Sequence, residues 1–128
     1  MASSLSDYQE SAWLALIRAG STWLALFTDT NTAVQRDAGT VTEVAGGGYA
    51  RQPVTWAAPL SPGGTMAQSG ALAFPTATTD WTTITAVGVY DALTAGHLLW
   101  WGDLTVPRAV PSGATFTIAD GAVVLTLS

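Results

Sequence analysis

The chain has 128 residues, 48% of them hydrophobic and 10% charged, a formal net charge of −5, and neither cysteine nor lysine. That length fits one domain, residues 1–128, with a real core. The negative balance disfavours gripping a phosphate backbone, and the lack of cysteine removes disulfides, thiolate metal sites and thiol nucleophiles. No apolar run approaches the roughly 18–20 residues that span a bilayer, and the amino terminus lacks the basic region of a secretion signal, so neither a membrane nor a nucleic acid is expected as a partner.

Residues 5–19 read as the one helix. Ser6 is placed to cap it, Gln9 stands three residues on, and Gly20 follows where the helix should stop. Leu5, Tyr8, Ala12 and Leu16 share one face, widened by Trp13 and Ile17, and this face is expected to dock on a sheet. Leu14 lies roughly opposite, among Asp7, Glu10 and Arg18, as either a tolerated surface leucine or a contact with a neighbouring subunit.

The remainder, residues 22–127, reads as strands and turns. In Thr22–Thr28, Trp23, Ala25 and Phe27 alternate with Leu24 and Leu26, so the strand should be covered on both faces. Residues 29–42 are polar and long for a passive connection, which makes them a candidate contact loop containing Asp29, Asn31 and Arg36. Asp29 and Asn31 begin like a calcium loop, but no glycine follows at the sixth position and no glutamate at the twelfth, and no metal is assigned.

Residues 46–56, GGGYARQPVTW, look like a glycine hinge delivering a strand over 49–56. Pro53 cannot donate a ladder hydrogen bond, which places this strand at an edge or a bulge. An edge invites another chain, so Tyr49, Arg51 and Gln52 are candidate interface residues. For Arg51, pairing with an acid inside the subunit is the alternative.

Residues 58–70 are loop with a brief extended piece at 65–68, and a short strand follows at 71–74. The polar run 76–83 carries Trp81, which either folds back over the open end of the core or anchors a partner. Residues 84–91 and 98–105 form the clearest hairpin. If Asp91 faces Leu98 in it, Gly88 faces Trp101 and makes room for the indole, while adjacent Trp100 and Trp101 point to opposite faces. Pro107 and Pro111 interrupt the pattern, and residues 114–119 and 122–127 close the chain as a second hairpin around Asp120-Gly121. The whole describes a mainly β protein: an antiparallel β-sandwich of seven or eight strands, with the jelly roll as one form of it, and one amino-terminal α-helix.

Chemistry finds little support. The only histidine, His97, sits in a hairpin loop without a nucleophile or an orienting acid in any motif, and acids such as Asp80, Asp91 and Asp103 fall where turns place them. The chain is therefore read as non-enzymatic and without a cofactor. A carbohydrate-binding module is the competing class, but Trp13, Trp23, Trp56, Trp100 and Trp101 fall where a core would use them, leaving only Trp81 as a stacking residue.

The segments TWLALFT, GGGYARQPV and FPTATTDW…TAVGVYDA…LLWWG, in this order before a terminal hairpin, resemble a family of small tailed-bacteriophage virion structural proteins. The likeness runs from about residue 22 to 127. Thr82 departs from it, standing where glycine is expected. The resemblance implies a virion component assembled in the bacterial host cytoplasm, and the low charge suggests interface area beyond a monomer's core. The favoured form is a capsid decoration, cement or head-fibre-like protein that makes a homo-oligomer, a trimer first, and binds the major capsid protein or another virion protein. A tail-fibre or tail-tip accessory is the alternative, less favoured because 128 residues leave little room for a shaft. Leu14, Asp29, Asn31, Arg36, Tyr49, Arg51, Gln52 and Trp81 are the candidate contacts.

Overall fold

A computed structural model describes residues 6–28, 41–58 and 65–126. In chain order its elements are α1 (Asp7–Ala19), β1 (Thr22–Thr28), β2 (Gln52–Val54), β3 (Thr65–Ala67), β4 (Leu72–Ala73), β5 (Thr83–Tyr90), β6 (Leu98–Ala109), β7 (Thr117–Ile118) and β8 (Val124–Thr126). The protein is mainly antiparallel β with one amino-terminal helix. Asp29, Asn31 and Arg36, like Leu5 and Leu127, lie outside the described residues.

A four-stranded antiparallel sheet, ordered β2-β1-β5-β6, is the framework. Its central strand β1 is buried on both faces, as its two-sided apolar pattern requires. Leu24 and Leu26 enter the main core, while Ala25 and Phe27 enter a smaller cluster with Ala86 and Tyr90 on the other face. Trp100 packs against the first cluster and Trp101 against the second, the opposite projection expected of neighbours in a strand. Gly88 does pair with Trp101, but Tyr90 rather than Asp91 faces Leu98, because the register shifts between Val89 and Tyr90. The space at Gly88 is filled by Phe27, whose Cζ lies 2.4 Å from where a Cβ would stand. The cross-strand neighbour on β1, not the indole, demands the glycine.

Pro53 sits in β2, an edge strand, as its missing N–H dictates. Pro107 does not end β6 as expected. Between the pairs Ile84↔Arg108 and Ala86↔Asp103, one residue of β5 stands against four of β6, so the proline lies in a wide bulge on an edge strand and the ladder resumes beyond it.

The second layer is two short ladders, β3-β8 and β4-β7. The expected terminal hairpin therefore turns at Asp120-Gly121, but its arms pair with β4 and β3 instead of with each other. Asp120 Oδ1 accepts the Gly70 N–H at 2.8 Å, so this turn clips the β3–β4 turn. Met66, Phe74, Phe116, Ile118, Val123 and Leu125 from this layer meet Leu24, Leu26, Ile84, Val87 and Val89 of the sheet in one core, in the manner of a sandwich.

The helix docks on the opposite face from the one its sequence pattern suggests. Leu14 is 1% exposed and belongs to the main core, with Glu10 buried and Ile17 packed beside it, whereas Tyr8, Trp13 and Leu16 are exposed. Only Gly20 and Ser21 separate α1 from β1, and Arg18 Nε donates to the Trp56 carbonyl at 3.1 Å. That short link and that bond fix the helix's rotation, overriding the wider apolar stripe. Leu14 is thus a core residue, not a surface contact.

Thr82 occupies the left-handed region, with φ 66, where glycine is the unstrained choice. The Asp80 carboxylate accepts its N–H at 2.8 Å and Val110 donates to its carbonyl at 3.0 Å, which hold it there. Two outcomes are expected in urea unfolding. Thr82→Gly should stabilise the protein by about 0.5–1 kcal/mol, since β-branched strain is relieved by more than the added chain entropy costs. Gly88→Ala, driven into Phe27, should destabilise it by about 1–3 kcal/mol.

Candidate functional site

The three glycines at 46–48 all have positive φ, and the middle one is also a point of close approach. A Cβ on Gly47 would stand 2.3 Å from Thr79 Oγ1 and 2.7 Å from Trp81 Nε1. The Gly47 carbonyl accepts the Trp81 indole N–H at 3.0 Å and the Thr78 N–H at 2.9 Å. The turn is a docking post for the 76–81 loop, and Trp81, 3% exposed, folds over the core end instead of anchoring a partner.

After this turn, Tyr49 and Arg51 return toward Glu43, which sits before it. β2 covers β1 only from Thr22 to Leu24. Beyond that point Val44 N–H donates to the Leu26 carbonyl at 3.1 Å, and the Tyr49 hydroxyl accepts the Leu26 N–H at 3.1 Å, so a side chain continues the ladder. The same hydroxyl donates to Glu43 Oε2 in a short hydrogen bond. Arg51 grips Glu43 in bidentate fashion, Nε to Oε2 at 2.9 Å and Nη2 to Oε1 at 2.8 Å. Its Nη1 donates to the carbonyls of Ala92 and Ala95 at 2.9 and 2.8 Å, and its guanidinium lies 3.6 Å over the Tyr90 ring.

Burial, then the charge and hydrogen bond of Glu43, hold the Tyr49 hydroxyl far above its ordinary value against the opposing Leu26 N–H and Arg51. Burial and Glu43 push Tyr90 up as well. For Arg51 burial works downward, but the hydrogen bonds and charge of Glu43 outweigh it and its pKa is raised. The cluster is a neutralised clamp. Its carboxylate, phenol and guanidinium are committed to one another, which leaves none of them poised as a base or nucleophile.

Sequence reasoning brought Tyr49 and Arg51 together but missed Glu43. The available signal was the opposite charges of Glu43 and Arg51 flanking the triple glycine in an otherwise uncharged stretch. Gln52 stands apart from the clamp, its amide donating to the carbonyls of Ala50 and Arg51 at 3.0 and 3.2 Å. These bonds occupy acceptors that an incoming strand would use, so the β2 edge is partly capped by its own side chain. A recess of about 370 Å³ lies beside the clamp, lined by Glu43, Gly46, Tyr49, Arg51 and the hairpin loop residues Leu93 and Ala95. The hairpin is closed by Asp91, which accepts from His97 N–H at 2.7 Å and meets His97 Nδ1 at 3.0 Å. Those contacts, the backbone N–H first, hold the Asp91 carboxyl below its usual range.

A phenol whose pKa is raised on folding favours the native state fully below the unfolded value of about 10, and that contribution is lost as pH climbs toward the folded value. Stability followed by urea titration should therefore fall above about pH 10. Tyr49→Phe should flatten that decline while costing about 1 kcal/mol at neutral pH for the lost hydrogen bonds.

Comparison with curated proteins found no match. A family model described as podophage GP4 fiber I protein gp80 matches residues 4–126, nearly the whole chain. The chain therefore belongs to the podophage GP4 fiber I protein gp80 family and is a bacteriophage virion structural protein.

Proposed function

We propose that this chain is a non-enzymatic subunit of head-fibre or capsid-decoration type, assembled in the bacterial host cytoplasm as a closed homo-oligomer and mounted on the major capsid protein or another virion protein. One observation carries the reading. The buried Arg51 is spent on an internal clamp with Glu43, while several large apolar side chains are left outside, with Tyr8, Trp13, Leu16 and Val106 all exposed. Such a surface suits lasting contact with other subunits, not chemistry on a small molecule.

The described residues also form strands of differing length around a main core, without the repeating strand or coiled-coil pattern of a shaft. This supports a globular piece seated at the particle surface. A tail-fibre or tail-tip accessory is the second reading, favoured by the fibre description of the family. The carbohydrate-binding reading loses its one stacking residue, because Trp81 is buried and Trp13 alone among the tryptophans is exposed.

Gold-labelled antibody against the chain, imaged on intact particles, tests the proposal. Label on the head is the expected result, and label on the tail selects the second reading. Particles without label would overturn both.

A further inference from the structure

The edge strand β6 and the last two strands leave a cleft between them. β7 pairs with β4 and β8 with β3, so neither arm closes on β6 and the two layers part along that side. The cleft measures about 550 Å³, a size that suits a small molecule. Its inner wall is the core itself, since Val87, Phe116, Ile118 and Val123 line it and are otherwise buried. Val106, 70% exposed, and Val124, 42% exposed, stand at its mouth.

β6 gives one side of the cleft an apolar run that ends in a cation. Trp100, Gly102, Leu104, Val106 and Arg108 are alternate residues, and all five line it. Trp100 folds back over Gly102, its Cη2 2.5 Å from where a Cβ would stand, so the indole lies along the wall. Arg108 closes the other end. Its Nη1 donates to the Thr117 carbonyl at 3.2 Å and its guanidinium lies 5.6 Å over the Phe116 ring, which holds the charge at the cleft. No acid among the described residues forms a salt bridge with it. Asp103 also borders the cleft, but it pairs with Ala86 of the second cluster, which carries its carboxylate to the opposite face of the sheet.

We infer that the cleft binds a single-chain anionic amphiphile, its aliphatic chain along β6 and its carboxylate or sulfate head at Arg108. The chemistry of the walls selects this occupant. Apolar side chains cannot meet the backbone groups of a peptide or the hydroxyls of a sugar, and a polar group buried without a partner is costly. A methylene chain brings none. Its single charged head needs one fixed cation, and a planar guanidinium suits a carboxylate or a sulfate. Because the protein carries −5 overall, which repels anions at large, a preference for an anionic head must come from Arg108.

Calorimetric titration of the full chain with octanoate and decanoate, both kept below micelle formation, tests this. One molecule per chain is expected, with each added methylene tightening binding about fourfold. Decyltrimethylammonium, which has a cationic head, should bind at least about tenfold more weakly than decanoate. Arg108→Gln should remove that preference and keep the dependence on chain length. Ala122→Trp, at an exposed position on the cleft wall, should abolish binding with an unchanged circular dichroism spectrum. Leu16→Asp, on the exposed face of α1, should bind decanoate as the parent does.

Failure of decanoate to bind saturably, an equal or tighter fit for the cationic head, an anion preference that survives Arg108→Gln, or full binding in Ala122→Trp would each overturn the inference. So would loss of binding in Leu16→Asp, since the amphiphile would then coat the helix. Flotation with phosphatidylglycerol vesicles by a protein that ignores decanoate would overturn it too, because the surface would then bind a membrane and not a free amphiphile. None of these outcomes depends on where the subunit sits on the particle.

Discussion

A guanidinium taken out of water must have its charge balanced and its N–H groups met, or the fold loses more than the side chain contributes. Arg51 meets that demand with one carboxylate, two carbonyls and the face of one ring. Each partner comes from a different part of the chain. Glu43 is held beside β1 by the Phe27↔Glu43 bridge, Ala92 and Ala95 belong to the hairpin loop, and Tyr90 ends β5. The clamp also positions Tyr49, which stacks on Phe74 at 6.1 Å and meets Trp81 edge-on at 5.5 Å. Phe74 in turn meets Phe116, so the contacts begun at one buried charge reach the second layer.

A sheet covered on both faces imposes a further constraint, because one side must accept large rings without pushing the layers apart. The protein meets it with small residues. Ala25, Ala86 and Gly88 lie on the face where Phe27 and Tyr90 pack edge to face at 6.2 Å. On β6, Gly102 leaves the room that Trp100 uses, its missing Cβ standing 2.5 Å from Trp100 Cη2. Aromatic bulk is therefore accommodated by neighbours across and along the strands.

Where local pattern decided the outcome, the sequence was readable. The two-sided burial of β1, the edge position of Pro53, the hairpin of β5 and β6 and the opposed tryptophans all follow from period-two alternation and proline's missing donor. At Thr82 it was the family resemblance, not local pattern, that implied glycine, and the backbone angle there is one that favours glycine. What escaped were choices made by distant parts of the chain. The helix offered one broad apolar stripe, and its two-residue link to β1 with the Arg18 bond turned the opposite side, with Leu14, to the core. Asp120-Gly121 did form a turn, but β3 and β4 competed successfully for its arms. Glu43 was invisible because its importance depends on Arg51 returning to it around the glycine turn, a relation of fold and not of spacing. Trp81 could be read either way until its indole had the Gly47 carbonyl to bond.

The sparse charge of the chain acquires a structural meaning here. Glu43 is committed to Arg51, while Asp80, Asp91 and Asp120 each accept a backbone N–H in a turn, at Thr82, His97 and Gly70. Four of the nine acids thus hold backbone or a buried cation in place. A free-standing protein ordinarily relies on a mixed, charged exterior to stay dispersed. Here most of the acids with a visible role fix turns or the clamp, while apolar side chains such as Tyr8 and Leu16 stand exposed. Composition and architecture then express one condition, charge reserved for the places where the backbone or a buried cation must be held.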